Sequence, residues 1–388
     1  MNKFIPLSVP NLKGNELKYV TDAVQKEWVS TGGAYIDKFE NDMAHYLKVD
    51  SAVACQSGTA ALHLSLMQSG VEVEDEVIVP TLTFIAAVNP VKYCGAYPVF
   101  MDCDDSLTMD TIKLQEFCEN QCNFINGILI NKKSNRKIKA IIVVHVFGNL
   151  TNMDKVMKIA KNYNLKVIED ATEALGSYYT DGVYEGKFAG TIGDFGAYSF
   201  NGNKIITTGG GGMIIAKDKG DLQKIKYFST QAKDDTLYYI HDEIGYNYRM
   251  TNLQGALGVA QLEMLEEFIE IKKINYNLYK ELINKIDGVK ILDFDERIRP
   301  NYWFYSLILY NDNINRDEII NKLSENKIQT RPIWGLIHEQ KPYLEAQNYK
   351  IEKAYYYHDR VINIPCSSNL KKEEVLEVIG KISDILKK

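Results

Sequence analysis

The chain has 388 residues, 45% of them apolar and 25% charged, with a formal net charge of −6. That length allows two cores, and that balance belongs to an ordinary globular protein. A weakly acidic chain whose lysines are interspersed with acids presents no field for nucleic acid, and no apolar run approaches the roughly 18 residues of a membrane span.

The start, Met1-Asn2-Lys3-Phe4-Ile5-Pro6, has no long apolar run before a small-residue cleavage site, so a cytoplasmic protein is expected. Cysteines at 55, 94, 103, 118, 122 and 366 show no Cys-x-x-Cys spacing. They read as reduced thiols rather than a disulfide or zinc framework, and no metal is expected.

From about residue 50 to 215, short apolar runs alternate with amphipathic segments, which predicts an α/β fold. A strand at 52–55 leads into Ser57-Gly58-Thr59-Ala60-Ala61-Leu62, a strand–turn–helix joint whose free amides form a ready anion site. Simple N-capping by Ser57 is the other reading. His63, on that helix, reads as a packed side chain. A strand at 76–79 precedes Thr83-Phe84, where Phe84 either stacks on a flat ring or joins the core. Strands follow at 97–100 and 138–144, with residues 119–137 between them as a surface hairpin or loop insertion.

A helix at 153–162 and a strand at 166–169 complete a βαβ unit. Asp170 closes that strand, and Glu173 lies one turn further, either facing the site or starting a helix in solvent. Gly186-Lys187 lacks the earlier glycine and the following Ser/Thr of a nucleotide P-loop. No Gly-x-Gly-x-x-Gly follows a strand, and His338-Glu339 lacks a second metalloprotease histidine. Strands at 195–200 and 213–216 bracket the loop that carries Lys204. Beyond 250 the pattern becomes a long helix at 253–272, helices at 275–285, 316–326 and 372–386, and a strand at 305–309. The expected division is a large α/β domain over 1–250 and a smaller α+β domain over 251–388.

Lys204, just after Ser199 and just before Thr207-Thr208-Gly209-Gly210-Gly211-Gly212, stands 34 residues beyond Asp170. Either residue alone is unremarkable. As a pair, with the anion joint at 57–59 and the ring candidate Phe84, they suit pyridoxal 5'-phosphate (PLP). The Lys204 amine forms the Schiff base, and the Asp170 carboxylate keeps the pyridine nitrogen protonated.

These motifs resemble the DegT/DnrJ/EryC1/StrS sugar aminotransferases, fold-type I PLP enzymes. The resemblance rests on Ser57-Gly58-Thr59-Ala60-Ala61-Leu62, Thr83-Phe84-Ile85-Ala86, Glu169-Asp170-Ala171, Gly193-Asp194-Phe195-Gly196-Ala197-Tyr198-Ser199-Phe200, Lys204 with its glycine run, Gly245-Tyr246-Asn247-Tyr248-Arg249-Met250 and Thr330-Arg331-Pro332-Ile333-Trp334. It implies a mainly parallel central sheet, Lys204 as Schiff-base lysine and proton shuttle, Asp170 on the pyridine nitrogen and Phe84 on the ring. It further implies Gly58, Thr59 and Ser199 on the phosphate, a homodimer in which Asn247 reaches the partner's phosphate, and Arg331 as a substrate contact. The segment Asn201-Gly202-Asn203-Lys204, with Glu173, is most similar to nucleotide-sugar C4 aminotransferases of bacillosamine and legionaminic acid biosynthesis. The implied acceptor is a UDP- or GDP-linked 2-acetamido-2,6-dideoxy-4-keto-hexose, with L-glutamate as donor. A C3 aminotransferase of the same family and a non-catalytic PLP-binding sensor remain the alternatives.

Overall fold

The computed structural model describes residues 3–235, 237–311 and 314–387. Strands Glu76–Pro80 and Lys166–Asp170 are buried along almost their whole length, as strands of a covered parallel sheet should be. They belong to a large sheet with strand order Val53–Cys55, Gly212–Ala216, Phe195–Ser199, Lys166–Asp170, Lys137–Val144, Glu76–Pro80, Tyr97–Met101 and Gln347–Tyr349. From Gln347–Tyr349 across to Phe195–Ser199 every pairing is parallel; Gly212–Ala216 pairs antiparallel with both Phe195–Ser199 and Val53–Cys55. The fold is therefore α/β with a mixed, mostly parallel central sheet, as expected.

The strands predicted at 76–79, 138–144, 166–169 and 305–309 fall where the apolar runs placed them. The insertion is a hairpin, Cys122–Ile125 with Ile128–Asn131, that adds antiparallel to the start of Lys137–Val144. Its turn is Asn126-Gly127, both residues at positive φ (52° and 79°), the geometry that matches the twist of the flanking strands.

After residue 250 a second, antiparallel sheet runs Val289–Ile291, Tyr305–Leu309, Val361–Ile364 and Arg331–Pro332. Helices Leu265–Ile283, Arg316–Glu325 and Lys372–Leu386 belong to this part of the chain. Gln347–Tyr349, from the same part of the sequence, instead extends the large sheet beside Tyr97–Met101.

The helix expected at 253–272 is two helices, Asn252–Glu263 and Leu265–Ile283, parted at Met264. The apolar spacing continues through the break, so periodicity alone cannot reveal it. Glu266 and Glu267 suit the first turn of a new helix, where the dipole favours acids. The first of the two helices lies close against Ala34–Leu47: a Cβ at Gly258 would stand 2.7 Å from the Phe39 ring. The separate helix expected at 275–285 is the second half of Leu265–Ile283.

Candidate active site

A cavity of about 390 Å³ opens at the carboxyl ends of the parallel strands, where α/β folds bind ligands. Gly58, Thr59, Phe84, Asp170, Glu173, Ser199 and Lys204 all line it. They arrive from the ends of four strands, Phe84 following Glu76–Pro80. Asp170 ends Lys166–Asp170, Ser199 ends Phe195–Ser199, and helix Gly58–Gln68 begins just after Val53–Cys55. The chain thus brings together seven of the nine side chains singled out from its sequence.

At the helix start, the Ser57 hydroxyl accepts from the Ala60 amide at 3.0 Å, so N-capping does occur. The Gly58 and Thr59 amides make no hydrogen bond within the described residues, and a helix start in that condition attracts an anion. Gly58 is also tightly held. A Cβ there would lie 2.9 Å from both Ser199 Cβ and Thr172 Cγ2. The two readings of this joint are compatible, because Ser57 serves one amide and leaves its neighbours to the cavity.

Lys204 Nζ lies 3.9 Å from Glu173 Oε1, and the Lys204 side chain is 13% exposed. Burial lowers the Lys204 pKa, against the charges of Glu173 and Asp170, which raise it. Glu173 is pushed up to about 7 by burial; the Lys204 charge and the Phe147 amide, which donates to Glu173 Oε2 at 3.0 Å, oppose the shift. Asp170 is also raised by burial, against hydrogen bonds from Thr172, whose amide donates to Oδ1 at 3.0 Å, and the charge of Lys204. A buried carboxylate with no cation in hydrogen-bond contact among the described residues suits a cationic ring nitrogen, which would supply such a partner.

An aromatic wall closes the opposite side, and sequence reasoning did not single it out. Trp303, Phe304 and Trp334 line the cavity. The Phe147 ring packs on Trp334 at 4.8 Å and on Phe304 at 5.4 Å. Phe147 has φ +57°, an uncommon conformation for a residue with a side chain, inside the turn Val146–Gly148 that aims its amide at Glu173. The aromatic run Tyr302-Trp303-Phe304 ahead of strand Tyr305–Leu309 was the available signal.

Phe84 is 54% exposed on the cavity wall, which favours the ring-stacking reading over the core reading. His63 is buried among Tyr93, Tyr246 and Tyr248, a packed side chain as expected. Asn247 and Arg331 are both exposed, and neither lines the cavity of this chain. The free amides, the buried carboxylate and the withdrawn amine together make a lining that PLP would fit.

The family model of the DegT/DnrJ/EryC1/StrS aminotransferases matches residues 10–383. GDP-perosamine synthase of Escherichia coli O157:H7 is 38% identical over 383 residues, covering 98% of each chain. GDP-perosamine synthase of Caulobacter vibrioides is 36% identical over 388 residues, again covering 98% of each. Among solved structures, a DegT/DnrJ/EryC1/StrS aminotransferase from Brucella abortus superposes with a TM-score of 0.87 at 26% identity, covering 96% of each chain. The chain belongs to the DegT/DnrJ/EryC1/StrS aminotransferase family, and is a PLP-dependent aminotransferase acting on nucleotide sugars.

Proposed function

We propose that this enzyme moves an amino group from L-glutamate to C4 of a nucleotide-linked 4-keto-6-deoxyhexose, with PLP joined to Lys204. The observation that carries the reading is the convergence of Lys204, Asp170 and two free helix-start amides on one cavity. Similarity to two GDP-perosamine synthases favours a GDP-linked acceptor. The motif around Lys204, with Glu173, favours the UDP- or GDP-linked 2-acetamido-2,6-dideoxy-4-keto-hexoses of bacillosamine and legionaminic acid biosynthesis as the second acceptor class.

When bound, PLP withdraws electrons from the carbon being deprotonated and carries nitrogen from donor to acceptor. This chain's residues do the rest. Lys204, its pKa lowered by burial, accepts the proton from the glutamate α-carbon and later delivers one to the sugar carbon that receives nitrogen. Asp170 holds the proton on the ring nitrogen. Glu173, with a pKa near 7, takes or returns a proton at Lys204 Nζ, 3.9 Å away. Phe84 covers one face of the ring, and the aromatic wall keeps water from the reacting carbon.

Lys204 is the one cationic side chain lining the cavity among the described residues. The cofactor phosphate, the nucleotide and glutamate are all anionic. A homodimer would supply further donors, with the exposed Asn247 of one copy reaching the phosphate of the other.

The test is a panel of GDP- and UDP-linked 4-keto sugars, with and without a 2-acetamido group, incubated with glutamate and read by mass spectrometry. NMR of the product identifies the aminated carbon, and nitrogen at C3 would replace the C4 reading. Failure of glutamate alone to convert the cofactor's visible band would favour a PLP-binding sensor. Lys204→Ala is expected to lose both that band and turnover.

A further inference from the structure

Lys204 has a second neighbour besides Glu173: its Nζ lies 4.1 Å from the centroid of the Trp303 ring. An ammonium over an indole face is attracted by the ring quadrupole, most strongly when both are withdrawn from water. Trp303 is only 3% exposed, so little solvent competes. The amine is thus flanked by a carboxylate and an aromatic face.

The indole is held in place from several sides. Its Nε1–H donates to the Asn203 carbonyl at 2.8 Å, next to Lys204 itself. The ring stacks on Phe304 at 4.1 Å and 18°. One side chain also spaces the indole from Glu173. Asn301 Oδ1 accepts the Trp303 amide at 3.0 Å, while Asn301 Nδ2 donates to the Glu173 carbonyl at 2.9 Å. Asn301 is fully buried, and Gly148, at φ +93°, leaves it room, since a Cβ there would collide with Asn301 Oδ1.

From this geometry we infer that Trp303 is a positioning residue for Lys204: its ring face, together with Glu173, holds the amine whenever the amine is not joined to the cofactor, and Asn301 sets the spacing of the two. The inference rests on the reading of Lys204 as the cofactor lysine. A lysine released during the reaction must stay within reach of the carbon it protonates, and a polar anchor on one side only would let it swing to the carboxylate. The indole offers a counter-attraction without a hydrogen-bond acceptor, so the amine is held but not trapped.

Glu173 and Asp170 are the charged groups that face Lys204. The ring adds a preference for the ammonium form, so its removal shifts the Lys204 titration downward. The experiment measures, on the cofactor-free enzyme, the rate at which an amine-directed acylating reagent modifies Lys204 as a function of pH, quantified by peptide mass spectrometry. Trp303→Leu is expected to lower the midpoint by about half to one pH unit, and Trp303→Phe, which retains a weaker ring face, by less. A Trp303→Leu profile that coincides with wild type would overturn the inference. A second measurement needs no change at Trp303. Indole fluorescence of the cofactor-free wild type should titrate at the same midpoint, and Lys204→Met should abolish that step. A titration that persists unchanged in Lys204→Met would overturn the inference equally. Borohydride trapping of PLP on the wild type separately checks the cofactor reading. Label on a peptide other than the one with Lys204 sinks that reading, whereas a coincident Trp303→Leu profile sinks only the role of the indole.

Discussion

Glu173 Oε1 stands 3.9 Å from Lys204 Nζ while Glu173 Oε2 accepts the Phe147 amide at 3.0 Å. One carboxylate therefore faces the Lys204 amine with one oxygen and is tethered to the scaffold by the other. Because the tether is a backbone group in a left-handed turn, the side chain cannot rotate away without losing a buried hydrogen bond.

Glu173 has a folded pKa near 7 against an ordinary value of 4.5. The folded state therefore holds a proton that the unfolded state releases first. The corresponding stability is complete below pH 4.5 and is lost as pH rises through about 7. The difference in unfolding free energy between the cofactor-free wild type and Glu173→Gln should fall over that interval by up to about 3 kcal/mol. Urea titrations at a series of pH values measure it, and a constant difference would contradict the shifted pKa.

Asp170→Asn replaces a carboxylate that can stabilise a ring-nitrogen proton with an amide that cannot. Cofactor binding should weaken only modestly, but the half-reaction with glutamate should slow by about a hundredfold or more. Stopped-flow absorbance follows it directly. An unimpaired half-reaction would remove Asp170 from its assigned role.

Gly58→Ala puts a methyl group 2.9 Å from Ser199 Cβ and Thr172 Cγ2, both on the cavity wall. Accommodating it should cost about 1–3 kcal/mol and shift the amides proposed to receive the phosphate. The expected result is a lowered melting temperature and a raised PLP dissociation constant, by calorimetry and equilibrium dialysis. Unchanged PLP affinity would place the phosphate elsewhere.

His145 and Glu169 form a fully buried pair, Nε2 to Oε2 at 2.9 Å, immediately before Asp170 in sequence. The Thr151 amide donates to His145 Nδ1 at 3.2 Å, so the ring proton is on Nε2, facing Glu169. Glu169 also accepts the amides of Gly190, Ile192 and Gly193. Glu169→Ala strands all four donors, and the expected destabilisation is about 3–5 kcal/mol in urea unfolding. A loss below about 1 kcal/mol would mean that water replaces the carboxylate.

Several features were legible in the sequence because they are local. Strand Lys166–Asp170 carries the apolar pair Val167-Ile168 just ahead of its closing carboxylates, and Ser57-Gly58-Thr59 follows a strand directly. Lys204 and Asp170 could be paired before any fold was known because their order and spacing, with the joint at 57–59 and Phe84, suit one cofactor. The insertion at 119–137 was legible only as a hairpin or a loop; the structure made it a hairpin turning at Asn126-Gly127.

What the tertiary structure alone decided is non-local. Trp303 meets Lys204, Asn301 bridges to Glu173, and Gln347–Tyr349 joins the strand Tyr97–Met101, in each case across long stretches of chain. No periodicity encodes such meetings, because side-chain spacing reports which face of an element is apolar, not what that face will meet. The same limit explains Met264, where the apolar pattern runs on although the helix does not. The residue types at 170 and 204, with the joint at 57–59 and Phe84, were enough to suggest a chemistry; the distances that place an amine beside both a carboxylate and an indole exist only once the chain has closed on itself.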